Sequence, residues 1–150
     1  MKYCSFDIVF QEVPGEITLA LNITNCPIHC KGCHSPHLWE DAGEVLDEEE
    51  LRRLIDLYRG EVTCVCFMGG DADLKTIELL CRVAREEGVK TAWYTGRQAF
   101  PQSMPIEIWD YVKVGPYDED LGGLRSRKTN QRFYRIEQGK MVDITERFWR

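Results

Sequence analysis

No stretch of this sequence is apolar for the length needed to cross a bilayer, and its first ten residues, MKYCSFDIVF, carry one lysine and no run resembling a signal peptide. A cytoplasmic protein with no membrane partner is the expectation. Internal repeats and low-complexity segments are missing too. Positive charge is short: the formal net charge is −6, which argues against general nucleic-acid affinity. The deficit is uneven, because residues 121–150 hold eight Lys/Arg against three Asp/Glu, a local +5 that leaves −11 for the rest. That basic segment is a candidate docking surface for an anionic partner, or simply a solvated charged face. An even cysteine count is also absent. Seven cysteines in a chain expected in a reducing compartment make a disulfide framework the weaker reading, so metal ligation or core burial must account for them. At 150 residues, 43% of them hydrophobic, the chain suffices for one domain spanning 1–150 and is too short for two.

What is present alternates between strand and helix patterns. EITLALNI (16–23) has strand character and runs into a cysteine-rich loop. DEEELRRLIDLYR (47–59) offers Asp47 as N-cap, acids in the first turn, and Leu51, Leu54, Ile55 and Tyr58 at helical spacing, with Gly60 as a stop. EVTCVCFMGGD predicts a buried strand ending in a paired-glycine turn, and ADLKTIELLCRVAREEG a helix with Leu74, Ile77, Cys81 and Ala84 on one face. VKTAWYTG is a third strand, Arg97–Ile108 leaves room for a short helix, WDYVKVGPY is a fourth strand, and FYRIEQGKMVDIT reads as a hairpin turning near Gly139. Such alternation predicts a mostly parallel sheet, in which ligands gather at the carboxyl ends of strands. The cysteine loop, MGGD, YTG and VGPY all fall at such ends and should face one cleft.

The loop itself, NCPIHCKGCHSPHLW (25–39), holds Cys26, Cys30 and Cys33 at C-x3-C-x2-C spacing, with Gly32 where a tight turn lets backbone amides approach the thiolates. Two metals suit it. Three thiolates on a four-iron cubane leave one iron open to a substrate or cofactor, whereas zinc would take His29, His34 or His37 as its fourth ligand in a closed Cys3His site. The strand pattern around the loop favours the cluster. Cys64, Cys66 and Cys81 read as small core hydrophobes, and Cys4 is unplaced.

The triad at the end of a first strand, followed by a Gly-Gly-acid turn after the second, resembles the radical S-adenosylmethionine (SAM) enzymes. CHSPHLW is similar to the C-H-N-P-x-x-W continuation of glycyl-radical activating enzymes, YTG to their third-strand turn, and TNQR to the S-N-Q-R of anaerobic ribonucleoside-triphosphate reductase activating proteins. The likeness runs from VPGEITLAL to TNQRFYRI. It implies a small incomplete (β/α) barrel, or a curved open mostly parallel sheet of the radical SAM type, with a C-terminal hairpin. It implies a [4Fe–4S] cluster on Cys26, Cys30 and Cys33, with SAM chelating the open iron. Reductive cleavage of SAM would then yield a 5′-deoxyadenosyl radical that takes a hydrogen atom from a glycine of a large partner, the anaerobic reductase or another glycyl-radical enzyme of pyruvate formate-lyase type. A reductant protein such as flavodoxin or ferredoxin would supply the electron.

Under that resemblance the SAM contacts fall on the backbone of Met68, Gly69 and Gly70, on Asp71 as acceptor from the SAM ammonium, on Tyr94, Thr95 and Gly96 toward ribose or methionine, on Asn130, and on His34 beside the cluster. Arg132 is a candidate for a carboxylate, and Trp39 for packing the loop against the sheet. The sequence departs from the family in two places. Asp71-Ala72 stands where Glu-Pro is usual, and Gly32 stands where many radical SAM enzymes have an aromatic residue before the third cysteine.

Overall fold

A computed structural model describes residues 1–149. In chain order the elements are β1 (Lys2–Val9), β2 (Thr18–Ile23), β3 (Glu44–Val45), α1 (Glu48–Leu57), β4 (Cys64–Met68), α2 (Leu74–Glu86), β5 (Lys90–Tyr94), β6 (Tyr111–Val114), β7 (Arg132–Glu137) and β8 (Lys140–Asp143). The strands form one eight-stranded sheet in the order β3-β1-β2-β4-β5-β6-β7-β8.

The sheet is mixed, which corrects the expectation of a mostly parallel one. Pairings β2–β4, β4–β5 and β5–β6 are parallel, because α1, α2 and the 95–110 segment carry the chain back between them. The other four are antiparallel. On one side β1, a strand the residue pattern does not predict, folds back on β2 and takes β3 on its outer edge. On the other, the C-terminal hairpin lies against β6 and lengthens the sheet rather than merely decorating it. The expected short helix between Arg97 and Ile108 is a single 3-10 turn at Ile106–Ile108.

Local chemistry accounts for the helices. The Asp47 carboxylate accepts the Glu50 N–H at 2.9 Å and Asp73 accepts that of Thr76 at 3.1 Å, so each helix starts on a side-chain cap. Leu51, Leu54 and Ile55 of α1 and Ile77, Leu80, Cys81 and Ala84 of α2 are buried. Full burial of a Leu or Ile side chain is worth about 1.5–3 kcal/mol.

Strand alternation sorts side chains onto two faces. Leu19, Leu21, Ile23, Val65, Phe67, Trp93 and Val112 meet the helices in the larger core, where Trp93 stacks on Trp109 at 5.5 Å. Among the described residues no α-helix covers the opposite face. There Cys64, Cys66, Ala92, Tyr111 and Phe133 pack with Val13, Leu124 and Ile144 from loops. Parallel register from β2 to β6, with the antiparallel pairing of β6 and β7, brings Asn22, Met68, Tyr94, Lys113 and Phe133 into one row across this face.

Candidate metal centre

The cysteine loop leaves β2 at its carboxyl end and is closed at its own base. The Asn25 N–H donates to the Glu40 carbonyl at 2.9 Å and the Cys26 N–H to that of Leu38 at 3.0 Å. Inside, Asn25, His29 and Gly32 have φ of 61°, 51° and 75°, the left-handed conformation that folds successive N–H groups inward. The Ser35 N–H reaches the Cys33 Sγ at 3.4 Å, and those of Ile28 and His29 donate to the Cys26 sulfur. Burial pushes the Cys26 thiol up while these backbone donors oppose it, the net shift being upward. All three thiols are free and half-buried.

Two of the three histidines pack on aromatic rings. His29 stacks on Trp39 (centroids 4.5 Å, planes 15° apart) and His34 lies against Tyr117 (4.7 Å, 52°). Both His34 and His37 are exposed. Glu119, paired with Lys31 at 3.4 Å, occupies the space that a Cβ on Gly32 would need, so an aromatic residue has no room there. Trp39 packs on His29 within the loop, and its indole N–H is buried without an acceptor among the described residues. Among the described residues no three His, Cys, Asp or Glu side chains converge closely enough for a single metal ion. Thiolates on different irons of a cubane stand wider apart than ligands of one ion. Three half-buried thiols, two of them accepting N–H···S bonds, and histidines packed on aromatic rings fit a cluster better than a Cys3His zinc site.

Around the loop, the turns after β4, β5 and β6 are locked together by Asp71. Its carboxylate accepts from the Thr95 hydroxyl and from the Gly96 N–H (3.1 Å), and lies 3.3 Å from the Arg97 guanidinium. Arg97 in turn donates to the Asp71 carbonyl at 3.1 Å, and its own carbonyl accepts the Gly115 N–H at 2.7 Å. Asp71 is 4% exposed. It serves as a clasp, and the Thr95 hydroxyl is occupied by it, where ligand contact was expected of both.

Tyr94 also differs from expectation: its ring lines the helix-free face, but its hydroxyl donates to the Glu12 carbonyl. The Gly69 N–H donates to the Tyr94 carbonyl (3.1 Å) and the Gly69 carbonyl accepts from Trp93 (2.8 Å), so this backbone is used internally. Gly70 is bare because a Cβ would run into Ile77 of α2. Met68 lies in the row, its sulfur beside the Cys66 thiol at 3.4 Å. Asn130 is exposed and its amide donates to the Pro116 carbonyl at 3.0 Å. Gly96 touches the cluster loop directly, through Ile28.

Lys113 is the residue that motif reading missed. It is 7% exposed, donates to the Gly115 carbonyl at 3.0 Å, and lies 5.6 Å from the Tyr94 ring centroid. Burial pulls its pKa down to about 8, against Asp71, Cys30, Cys66 and Cys26, which push it up. A lone lysine among the buried residues of YVKV was the available signal. Beside this face a cavity of about 470 Å³ opens between Gln11, His34, Tyr94, Leu124, Gln131 and Phe148.

Three free thiols in an amide-lined loop at the carboxyl edge of parallel strands define an iron–sulfur protein. The chain belongs to the 4Fe-4S single cluster domain family, whose model matches residues 14–126. No curated protein and no solved structure matches it. Among the described residues no helix is long and apolar enough to cross a membrane.

Proposed function

We propose that this protein is an activating enzyme that cleaves SAM reductively and generates a glycyl radical on anaerobic ribonucleoside-triphosphate reductase. The observation that carries the reading is the donor set: three thiols in the loop, with His29 stacked on Trp39 and His34 packed against Tyr117, so that a cluster bound here keeps one iron for an outside ligand. A reduced [4Fe–4S] cluster held there would supply one electron to the sulfonium C–S bond of a bound SAM, giving methionine and a 5′-deoxyadenosyl radical that takes the glycine hydrogen, and a reductant protein would return the cluster to its reduced state.

The chain's own residues supply charge, shape and dryness. Lys113, buried at the end of β6, offers an ammonium to the SAM carboxylate. Asp71 holds the strand-end turns at fixed spacing, and Gly96 sets their distance from the loop at Ile28. Met68, Tyr94 and Phe133 give the floor an apolar lining that excludes water. The cavity between Gln11 and Phe148 is open beside His34, which suits a substrate that is itself a protein chain.

Anaerobic purification with iron and sulfide analysis, followed by assay for 5′-deoxyadenosine, tests the chemistry. Four irons and turnover are expected, and Cys26→Ala, Cys30→Ala and Cys33→Ala should each abolish both. SAM cleavage surviving any of these changes would refute the assignment. Glycyl-radical formation, read by electron paramagnetic resonance, should appear on the reductase; a radical formed only on a pyruvate formate-lyase type enzyme would reassign the partner.

A further inference from the structure

We propose that Lys113 sets the reduction potential of the cluster held by Cys26, Cys30 and Cys33, acting as a fixed positive charge beneath the loop. The inference rests on the cluster assignment and does not depend on SAM being the ligand.

Lys113 is the one charged side chain in the row Asn22, Met68, Tyr94, Lys113, Phe133, and its ammonium donates to the Gly115 carbonyl at the end of β6, where the Gly115 N–H meets the Arg97 carbonyl and the neighbouring Gly96 meets Ile28 of the cysteine loop. Its partners are a carbonyl, that of Gly115, and the face of Tyr94. Neither neutralises it, and a buried ammonium without a counter-charge is costly. The ionisable groups in its field are Asp71, Cys30, Cys66 and Cys26. Asp71 is already paired with Arg97. Cys66 is fully buried, and burial pushes its thiol well up, so it stays neutral. What remains is the pair Cys26 and Cys30, two of the three cluster ligands. The arginines on the helices contrast with this: Arg52, Arg53, Arg59 and Arg82 each have a carboxylate of their own. Reduction adds a negative charge to the cluster in a medium where charges are weakly screened. A cation close by makes that addition easier.

The test is a redox titration of the reconstituted full-length protein without SAM, with the reduced cluster followed by electron paramagnetic resonance. In Lys113→Met the reduced-to-oxidised ratio at the wild-type midpoint should fall about tenfold, which is 59 mV for one electron. Lys113→Arg should stay within about twofold. If Lys113→Met fails to hold four irons, Lys113→Gln, which keeps a donor for the Gly115 carbonyl, takes its place with the same expected fall. A lysine-to-neutral variant that holds the cluster with an unshifted midpoint, or an arginine variant shifted as far as the neutral one, would overturn the proposal. Because the titration contains no SAM, absence of SAM cleavage would count against the activase reading alone.

Discussion

Gly96→Ala is a small change with a traceable path to the cysteines. The φ of Gly96 is not in the left-handed range, so an alanine meets no backbone strain and the whole effect is steric. Its Cβ would stand 2.8 Å from Ile28 Cγ1, 3.1 Å from Cγ2 and 3.2 Å from Cβ. Contact with three atoms, one of them the branch point, means that no rotation of the Ile28 end relieves the overlap. The loop backbone must give by a few tenths of an ångström. Overpacking a full core costs about 1–3 kcal/mol, and half-buried Ile28 places this case near about 1 kcal/mol. Cluster retention should suffer more than stability, since Ile28 lies between Cys26 and Cys30 and its N–H donates to the Cys26 sulfur. Urea unfolding of the cluster-free protein gives the first quantity; iron and sulfide per chain after anaerobic reconstitution gives the second. Ile28→Ala in the Gly96→Ala background should restore both relative to Ile28→Ala alone, with a coupling of about 0.5 kcal/mol or more. Full iron loading in Gly96→Ala, or additivity within about 0.3 kcal/mol, would show that the two segments are not in the contact described.

Two further outcomes concern the scaffold. Gly70→Ala combines a φ of 96° with a clash on Ile77, and should cost about 2–4 kcal/mol in urea unfolding; a loss under about 1 kcal/mol would mean that α2 is free to shift. At the opposite end of the strands Glu16 is 7% exposed and bonded to Lys90 (2.7 Å), Thr63 (2.6 Å) and Tyr111 (2.8 Å). Burial pushes its carboxyl up, but those three donors outweigh it and hold the net value below the ordinary 4.5. A lowered native value means that ionised Glu16 contributes fully above about pH 4.5 and loses its contribution as pH falls through the native value. Glu16→Gln should therefore cost about 1–3 kcal/mol at neutral pH and progressively less in acid, and a cost that does not vary with pH would remove the carboxylate from the explanation.

The helices and their caps were legible because their causes are local: Asp47 acts within three residues, and Leu51, Leu54 and Ile55 repeat at the helical period. The three ligand candidates were legible for the same reason. β1 was not, since Tyr3 is the one fully buried side chain in KYCSFDIV and the strand is defined by pairing with β2 rather than by its own pattern. Its antiparallel return, with the C-terminal hairpin joining β6, is what makes the sheet mixed. The site chemistry failed at long range too. Asp71 was assigned to the SAM ammonium from its place in the Gly-Gly-acid turn, yet the partners it has lie 24 to 26 residues away. The hydroxyls of Tyr94 and Thr95 were assigned by position in a motif, and the fold gives them to the Glu12 carbonyl and to Asp71. Lys113 carries no motif, and only the register of β5 and β6 reveals that it sits inside.

The closure of the cysteine loop at its base bears on how far a change within it can spread. Residues 25 and 40, and residues 26 and 38, are joined by main-chain bonds, so the entropy of bringing the loop ends together is met by the polypeptide itself. The strands beneath are paired with one another through their own main chain, outside the loop. Any rearrangement within the loop is thereby confined to sixteen residues that begin and end at the same point of the molecule.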